Sequence, residues 1–200
     1  MLDNKKKQKL EKYIDNIIKD IKADIERYKK LGISNKQLID KVINLTVNKF
    51  TPESKIILAS IYDMLKENTL SSDKYDQVKN KAAFYEMNIL KELNEKFNFE
   101  VPDYIDYKES SKLINKWTES GAVFITGGVI SITLNTLIPI GIGTIIAGIM
   151  AFVLKDESKS MNETISEYLE SVKKSILLWI ESIERYYDQR IEELEREMVQ

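Results

Sequence analysis

The amino-acid sequence predicts an all-α protein, a bundle of long amphipathic helices that carries one apolar helical hairpin. The 200 residues include only 7 glycines and 3 prolines, too few for the many turns of an all-β fold. Apolar residues recur at steps of three and four over long stretches, which is the spacing of one helix face. Residues 121–154 contain no charged residue. The chain length suits a single helical domain over residues 1–200.

The first predicted helix covers residues 3–31. Gly32 supplies a stop, because glycine readily adopts the left-handed conformation that follows many helices. Ser34 and Gln37 then form a capping-box pattern, in which each side chain satisfies a free backbone amide at the start of a second helix. The apolar stripe of the first helix consists of Leu10, Tyr13, Ile14, Ile17, Ile18, Ile21, Ile25 and Tyr28.

Two further start signals predict two more helices in the first half of the chain. Thr51 can cap a helix and Pro52 suits its first turn, so we expect a third helix that ends near residue 68. The Ser-Ser-Asp sequence at residues 71–73 predicts the start of a fourth helix that ends near Phe97.

The charge-free run 121–154 is the most informative segment. As one straight helix it would be about 50 Å long, whereas the hydrocarbon core of a bilayer is about 30 Å thick. Pro139 lies near its middle and disfavours a continuous helix there. We therefore predict a helical hairpin with arms at about residues 108–134 and 140–155 and a tip at residues 135–139.

The last predicted helix covers residues 160–199 and begins with a capping-box pattern at Ser160 and Glu163. Residues 1–31 carry ten basic and six acidic residues, whereas residues 158–200 carry six basic and ten acidic residues. These opposite balances predict that the first and last helices lie side by side. The apolar stripe of the last helix consists of Ile165, Leu169, Val172, Ile176, Ile180, Ile183, Tyr187, Ile191, Leu194 and Met198.

The composition excludes several classes of function. The chain has 0 cysteines and 0 histidines, which excludes disulfides, cysteine nucleophiles, histidine acid–base catalysis and the zinc sites that these residues build. A net charge of −2 gives no overall attraction to nucleic acid. No Ser–Lys or paired-carboxylate arrangement stands out, so we expect no enzymatic activity, no cofactor and no metal site. No apolar stretch follows the basic N-terminus, so we expect a cytoplasmic, membrane-associated protein or export by a signal-independent route.

The charge-free run indicates insertion into a lipid bilayer. A helical hairpin satisfies its own backbone groups, as lipid requires, and small residues such as Gly143 and Ala147 permit close helix contacts. The predicted membrane-inserting residues are Val123, Phe124, Ile125, Gly127, Gly128, Ile130, Ile132, Leu134, Asn135, Leu137, Pro139, Gly141, Gly143, Ile145, Ala147, Gly148 and Phe152. The predicted interfacial residues, whose aromatic rings flank the hairpin, are Trp117, Tyr104 and Tyr107.

Other interpretations of this run stay open, among them a shallow or re-entrant hairpin and a single membrane span at residues 137–154. A helix that is apolar on all sides can be buried as the central pair of a soluble bundle. The protein can also be a constitutive membrane anchor or a helical scaffold, in which the long terminal helices pair with another chain. The partners that the sequence indicates are a lipid bilayer and either further copies of this chain or another helical protein.

Long amphipathic helices around a charge-free, glycine-bearing hairpin resemble the α-helical pore-forming toxins of the ClyA-like and tripartite haemolysin families. Residues 3–31, 121–154 and 160–199 carry this architectural resemblance. It implies a soluble form that hides the hairpin and an oligomer that permeabilises a membrane. Abundant lysine, asparagine and isoleucine agree with a bacterial origin. The candidates for a tip or pore-lining face are Ser131, Thr133 and Asn135.

Overall fold

The computed structural model describes residues 2–97, 124–126, 129–131 and 160–199. Helices account for most of these residues, which confirms the all-α prediction. They are α1 (Asn4–Lys30), α2 (Asn35–Leu70), α3 (Val78–Glu86), α4 (Ile89–Lys96) and α5 (Met161–Val199). A turn of 3-10 helix covers Asp73–Tyr75, and two short strands are β1 (Phe124–Thr126) and β2 (Val129–Ser131).

Local signals in the sequence correctly place the ends of α1 and the start of α2. Asp3 caps α1 by accepting a hydrogen bond from the Lys6 amide at 2.8 Å. Gly32 follows α1 with a φ of +68°, the left-handed conformation expected of a glycine stop. Ser34 and Gln37 form the predicted capping box at the start of α2.

The predicted helix boundary at Thr51 is wrong, because α2 continues through Pro52. An interior proline removes one amide donor and costs about 3 kcal/mol relative to alanine. The Thr51 hydroxyl donates to the Val47 carbonyl oxygen at 2.8 Å. On either side of the proline, Phe50 and Ile57 are buried. Burial of apolar residues along the whole helix therefore outweighs the local preference for a new start.

The prediction of one fourth helix up to Phe97 is also wrong. The chain instead forms the 3-10 turn, α3 and α4, and Asn88 separates α3 from α4 with a left-handed φ of 50°. Asparagine tolerates this conformation better than most residues. The break lets both short helices contribute to the core, since Phe84 of α3 and Leu93 of α4 are buried.

Helix α5 is the central helix, since it contacts all four other helices. It begins with the predicted capping box, in which Glu163 accepts from the Ser160 amide at 2.9 Å. Its buried face is wider than the predicted stripe, because Tyr168, Trp179 and Tyr186 are buried as well. A single stripe suits a helix that packs against one neighbour, whereas α5 packs against helices on more than one side.

Polar contacts show that α1 and α5 lie side by side and antiparallel, which confirms the predicted pairing. Near the start of α1, Lys7 contacts Glu184 at 2.9 Å. Further along, Lys173 of α5 contacts Glu11 at 3.1 Å and Asp15 at 2.7 Å. This second contact places the base on the acidic helix and the acids on the basic helix. Individual positions, rather than the net charge of each helix, therefore determine the ion pairs.

The two ends of the bundle differ in which segments they contain. Helix α2 runs parallel to α5: Tyr168 of α5 meets Thr46 of α2, and further along both helices the hydroxyls of Tyr187 and Thr69 lie 3.0 Å apart. One end, called here the loop end, therefore contains residues 31–34 and the start of α5 at Met161. The other, called the closed end, contains the start of α1, the end of α2, α3, α4 and the last turns of α5.

Candidate functional site

Three of the predicted membrane-inserting residues lie in described segments. Phe124 and Ile125 belong to β1 and Ile130 belongs to β2, and the strands pair antiparallel with Ile125 opposite Ile130. At these strand residues the backbone is extended, so the prediction of a helical arm is wrong there. The other predicted membrane-inserting residues, and the three predicted interfacial aromatic residues, lie outside the described residues. The helical hairpin over the rest of residues 121–154 stays a prediction.

A signal for the strand pair was present in the sequence. Residues 124–131 read Phe-Ile-Thr-Gly-Gly-Val-Ile-Ser, in which β-branched residues flank two glycines. A Gly-Gly pair between two such runs is a pattern of two-residue β-hairpin turns, and β-branched residues favour extended conformations. The helical interpretation gave more weight to the length of the apolar run than to this local pattern.

The last described helix before the charge-free run is α4, which a group of side chains attaches to α5. Arg190 binds Glu92 through two contacts, Nε to Oε2 at 2.9 Å and Nη2 to Oε1 at 3.1 Å. The Tyr186 hydroxyl donates to Oε2 of Glu92 at 2.7 Å. The Lys96 ammonium lies 4.3 Å from the centroid of the Tyr186 ring, and the Phe97 ring meets that ring edge to face. These contacts, called here the α4–α5 clamp, hold the last described residues before the run.

The α4–α5 clamp is charged at neutral pH. Burial raises the pKa of Glu92, but the hydrogen bonds from Tyr186 and Arg190 and the charge of Arg190 outweigh burial, so that this pKa lies below its usual range. Burial, followed by the hydrogen bond to Glu92, raises the pKa of Tyr186 to about 12. Tyr186 therefore remains a donor and Glu92 an acceptor across the neutral range.

The first described helix after the run is α5, which begins at the opposite end of the bundle. Tyr186 in the clamp lies 25 residues beyond Met161, which corresponds to about 38 Å at 1.5 Å per residue. Residues 155–159 alone connect Leu154, the last residue of the charge-free run, to Ser160. Six steps of extended chain span at most about 20 Å. The chain length therefore limits how far the end of the run can lie from the loop end.

A buried glutamate of α5, Glu184, holds the N-terminal residues at the closed end. The carboxylate of Glu184 is buried, with 3% of its side chain exposed, and it accepts a hydrogen bond from the Leu2 amide at 2.8 Å. Lys7 balances its charge at 2.9 Å. The sequence contained a signal for the burial of Glu184, since this residue lies on the apolar stripe, four residues after Ile180 and three before Tyr187. No local pattern in the sequence indicated the α4–α5 clamp, because Glu92 and Arg190 are far apart in sequence.

None of the described helices is both long and apolar enough to cross a membrane. Within the described residues there is also no group of three or more acidic, histidine or cysteine residues placed to hold a metal ion. No protein-family model, no curated protein and no solved structure matches this chain.

Proposed function

We propose that this chain is a membrane-inserting helical protein that permeabilises bilayers, with residues 121–154 as the inserting part. The observation that carries the proposal is a run of 34 residues without charge in a chain that is 31% charged overall. Each fully buried large apolar side chain contributes about 1.5–3 kcal/mol, so transfer of the run into lipid offsets a substantial cost of rearrangement.

The position of α5 supports this proposal over a purely soluble role for the run. A soluble role would place the run at the centre of the bundle. In the described part of the chain, α5 takes that position, with Leu169, Trp179 and Ile183 buried along its length. A bilayer offers the run another apolar environment, in which a helical hairpin satisfies its own backbone groups.

Permeabilisation requires several copies of the chain. A single apolar hairpin has no polar surface on which water could pass, so several hairpins must surround a lumen. Ser131, Thr133 and Asn135 are the candidates for the polar face of that lumen. In this proposal the protein needs no cofactor or enzymatic step, and its partners are lipid and further copies of itself.

Liposome co-flotation with simultaneous dye release, using protein purified without detergent, tests the proposal. We expect the protein to float with the vesicles and to release the dye. Flotation without release contradicts permeabilisation and supports an anchor. Protein that remains soluble and never floats contradicts membrane insertion and supports a helical scaffold.

Charged substitutions within the run sharpen the test. We expect Ile132→Asp together with Ile145→Asp to abolish flotation, because each aspartate in a bilayer costs about 2.5–3.5 kcal/mol. The matched control is Ile56→Asp on α2. The Ile56 side chain is 53% exposed, so this control makes the same chemical change at a site outside both the run and the core. All variants should retain the helical circular dichroism of the parent. Unchanged flotation of the double variant contradicts the proposed role of residues 121–154.

A further inference from the structure

Resting on the proposed function, we propose that the loop end of the bundle faces the bilayer. The contact surface consists of the exposed residues Lys30 and Leu31, which lie at the same end of the bundle as the first turn of α5. Its occupant is the headgroup layer of a bilayer that contains anionic lipid. The closed end, with α3, α4 and the α4–α5 clamp, then points away from the membrane.

The short connection between the run and α5 carries this inference. Residues 155–159 limit the distance from Leu154 to Ser160 to about 20 Å. Ser160 itself is fixed by its capping box at the start of α5. When the run enters lipid, the start of α5 must therefore lie within about 20 Å of the point of entry.

The connection at the closed end imposes no comparable limit. Between Phe97 and Gly121 the chain has 24 steps, which can extend to about 80 Å. That length exceeds the separation of about 38 Å between the clamp and the start of α5. The clamp can therefore remain intact while the run inserts at the opposite end.

The chemistry of the loop end suits a headgroup layer. Leu31 is 72% exposed, and Gly32 beside it would have nothing within 4 Å of an added side-chain atom. Lys30 is exposed next to it at the end of α1, and Arg27 and Lys29 precede it in the same turn. A leucine can enter the boundary between headgroups and acyl chains while Lys30 reaches lipid phosphates; Arg27 and Lys29 pair within α1 with Asp24 and Glu26.

Single fluorophores test this orientation directly. The chain has 0 cysteines, so each substitution introduces one unique thiol for an NBD label. Leu31→Cys reports the loop end, and Val78→Cys on α3, where the native side chain is 83% exposed, reports the closed end. Ile56→Cys reports the side of the bundle. The probe is a vesicle of phosphatidylcholine and phosphatidylglycerol, with or without a headgroup nitroxide lipid as quencher.

We expect vesicles to cause a blue shift and a severalfold gain in emission at residue 31, and the nitroxide lipid to quench that emission. Residues 56 and 78 should change little. Equal or larger changes at residue 56 or 78, in protein that still floats, overturn the orientation but leave the proposed function intact. Loss of flotation in the unlabelled parent overturns the proposed function and this inference together.

Discussion

The closed end and the loop end of the bundle are held by different kinds of contact. At the closed end, polar contacts join residues far apart in sequence, as between Glu184 and Leu2 and between Glu92 and Arg190. At the loop end, the capping box of Ser160 joins residues only three positions apart. Contacts there also cross between helices: the Lys41 ammonium of α2 lies 5.5 Å from the ring centroid of Tyr28 in α1, and the Tyr168 hydroxyl of α5 meets Thr46 of α2.

This difference indicates which end can change its packing at the lower cost. Contacts between distant segments are lost only when whole helices separate, whereas a capping box survives as long as its own first turn remains helical. We therefore expect the helices to separate first at the loop end. That is also the end to which the short connection attaches the charge-free run.

The largest expected effect comes from removing the buried carboxylate at the closed end. Glu184→Ala leaves the buried Leu2 amide without its acceptor, so the free energy of unfolding should fall by about 1–3 kcal/mol. Urea denaturation followed by circular dichroism measures this change. The matched control, Glu181→Ala, removes an exposed glutamate from the same helix and should change stability by less than about 0.5 kcal/mol. Equal losses in both variants would contradict the special role of Glu184.

The α4–α5 clamp should contribute less, because its partners are partly exposed. A double-mutant cycle with Glu92→Gln and Arg190→Gln should give a coupling free energy of about 1 kcal/mol, near the upper limit for partly exposed ion pairs. A coupling near zero would mean that the clamp does not stabilise the attachment of α4. The cycle uses urea denaturation at neutral pH.

The same clamp gives a signed dependence on pH. The folded-state pKa of Glu92 lies below its unfolded value. The clamp therefore contributes its full stabilisation of the folded state above the ordinary glutamate pKa of about 4.3. That contribution is lost as pH falls through the lowered folded-state pKa. With 0 histidines, the chain has no side chain whose ordinary pKa lies between about 5.5 and 8. We expect the free energy of unfolding of the parent to stay nearly constant over that range and to decrease below it. A marked loss already at pH 6 would contradict this.

Removing the cap at the loop end should have an effect of similar size that is confined to the first turns of α5. Ser160→Ala should cost about 1 kcal/mol and increase hydrogen exchange in the first turns of α5 only, because that serine satisfies the Glu163 amide. Ser171→Ala is the matched control, since the Ser171 hydroxyl bonds a carbonyl within the same helix and caps no end. Faster exchange along the whole of α5 would indicate that the two ends separate together.

The smallest effect on stability is expected at Leu31. Since this side chain is 72% exposed, Leu31→Ser should change the free energy of unfolding by less than about 0.5 kcal/mol. The same variant should float less efficiently with vesicles, because it removes the apolar residue proposed to contact the bilayer. The Val78→Ser control at the closed end should float as the parent does. Equal flotation of all three proteins would contradict a membrane contact at residue 31.

Much of the fold could be predicted from local patterns. The ends of α1, the start of α2 and the start of α5 depend on side chains that bond the backbone within a few residues, and these were predicted correctly. The same kind of signal failed at Pro52, where burial over the whole of α2 decides. At Phe124–Thr126 and Val129–Ser131 the opposite happened: the local Gly-Gly pattern indicated strands, and the helical prediction was wrong because it gave more weight to the length of the apolar run.

The sequence by itself determined the all-α class, the apolar faces of α1 and α5, and a charge-free run of 34 residues. Periodicity and capping encode these features, because both act over distances of a few residues. Only the tertiary structure decided that α5 is central and that α4 and the start of α5, the described helices before and after the run, lie at opposite ends of the bundle. It also brought Glu92 to Arg190 and Glu184 to Leu2. Those contacts depend on how whole helices pack, and no short stretch of sequence contains both partners.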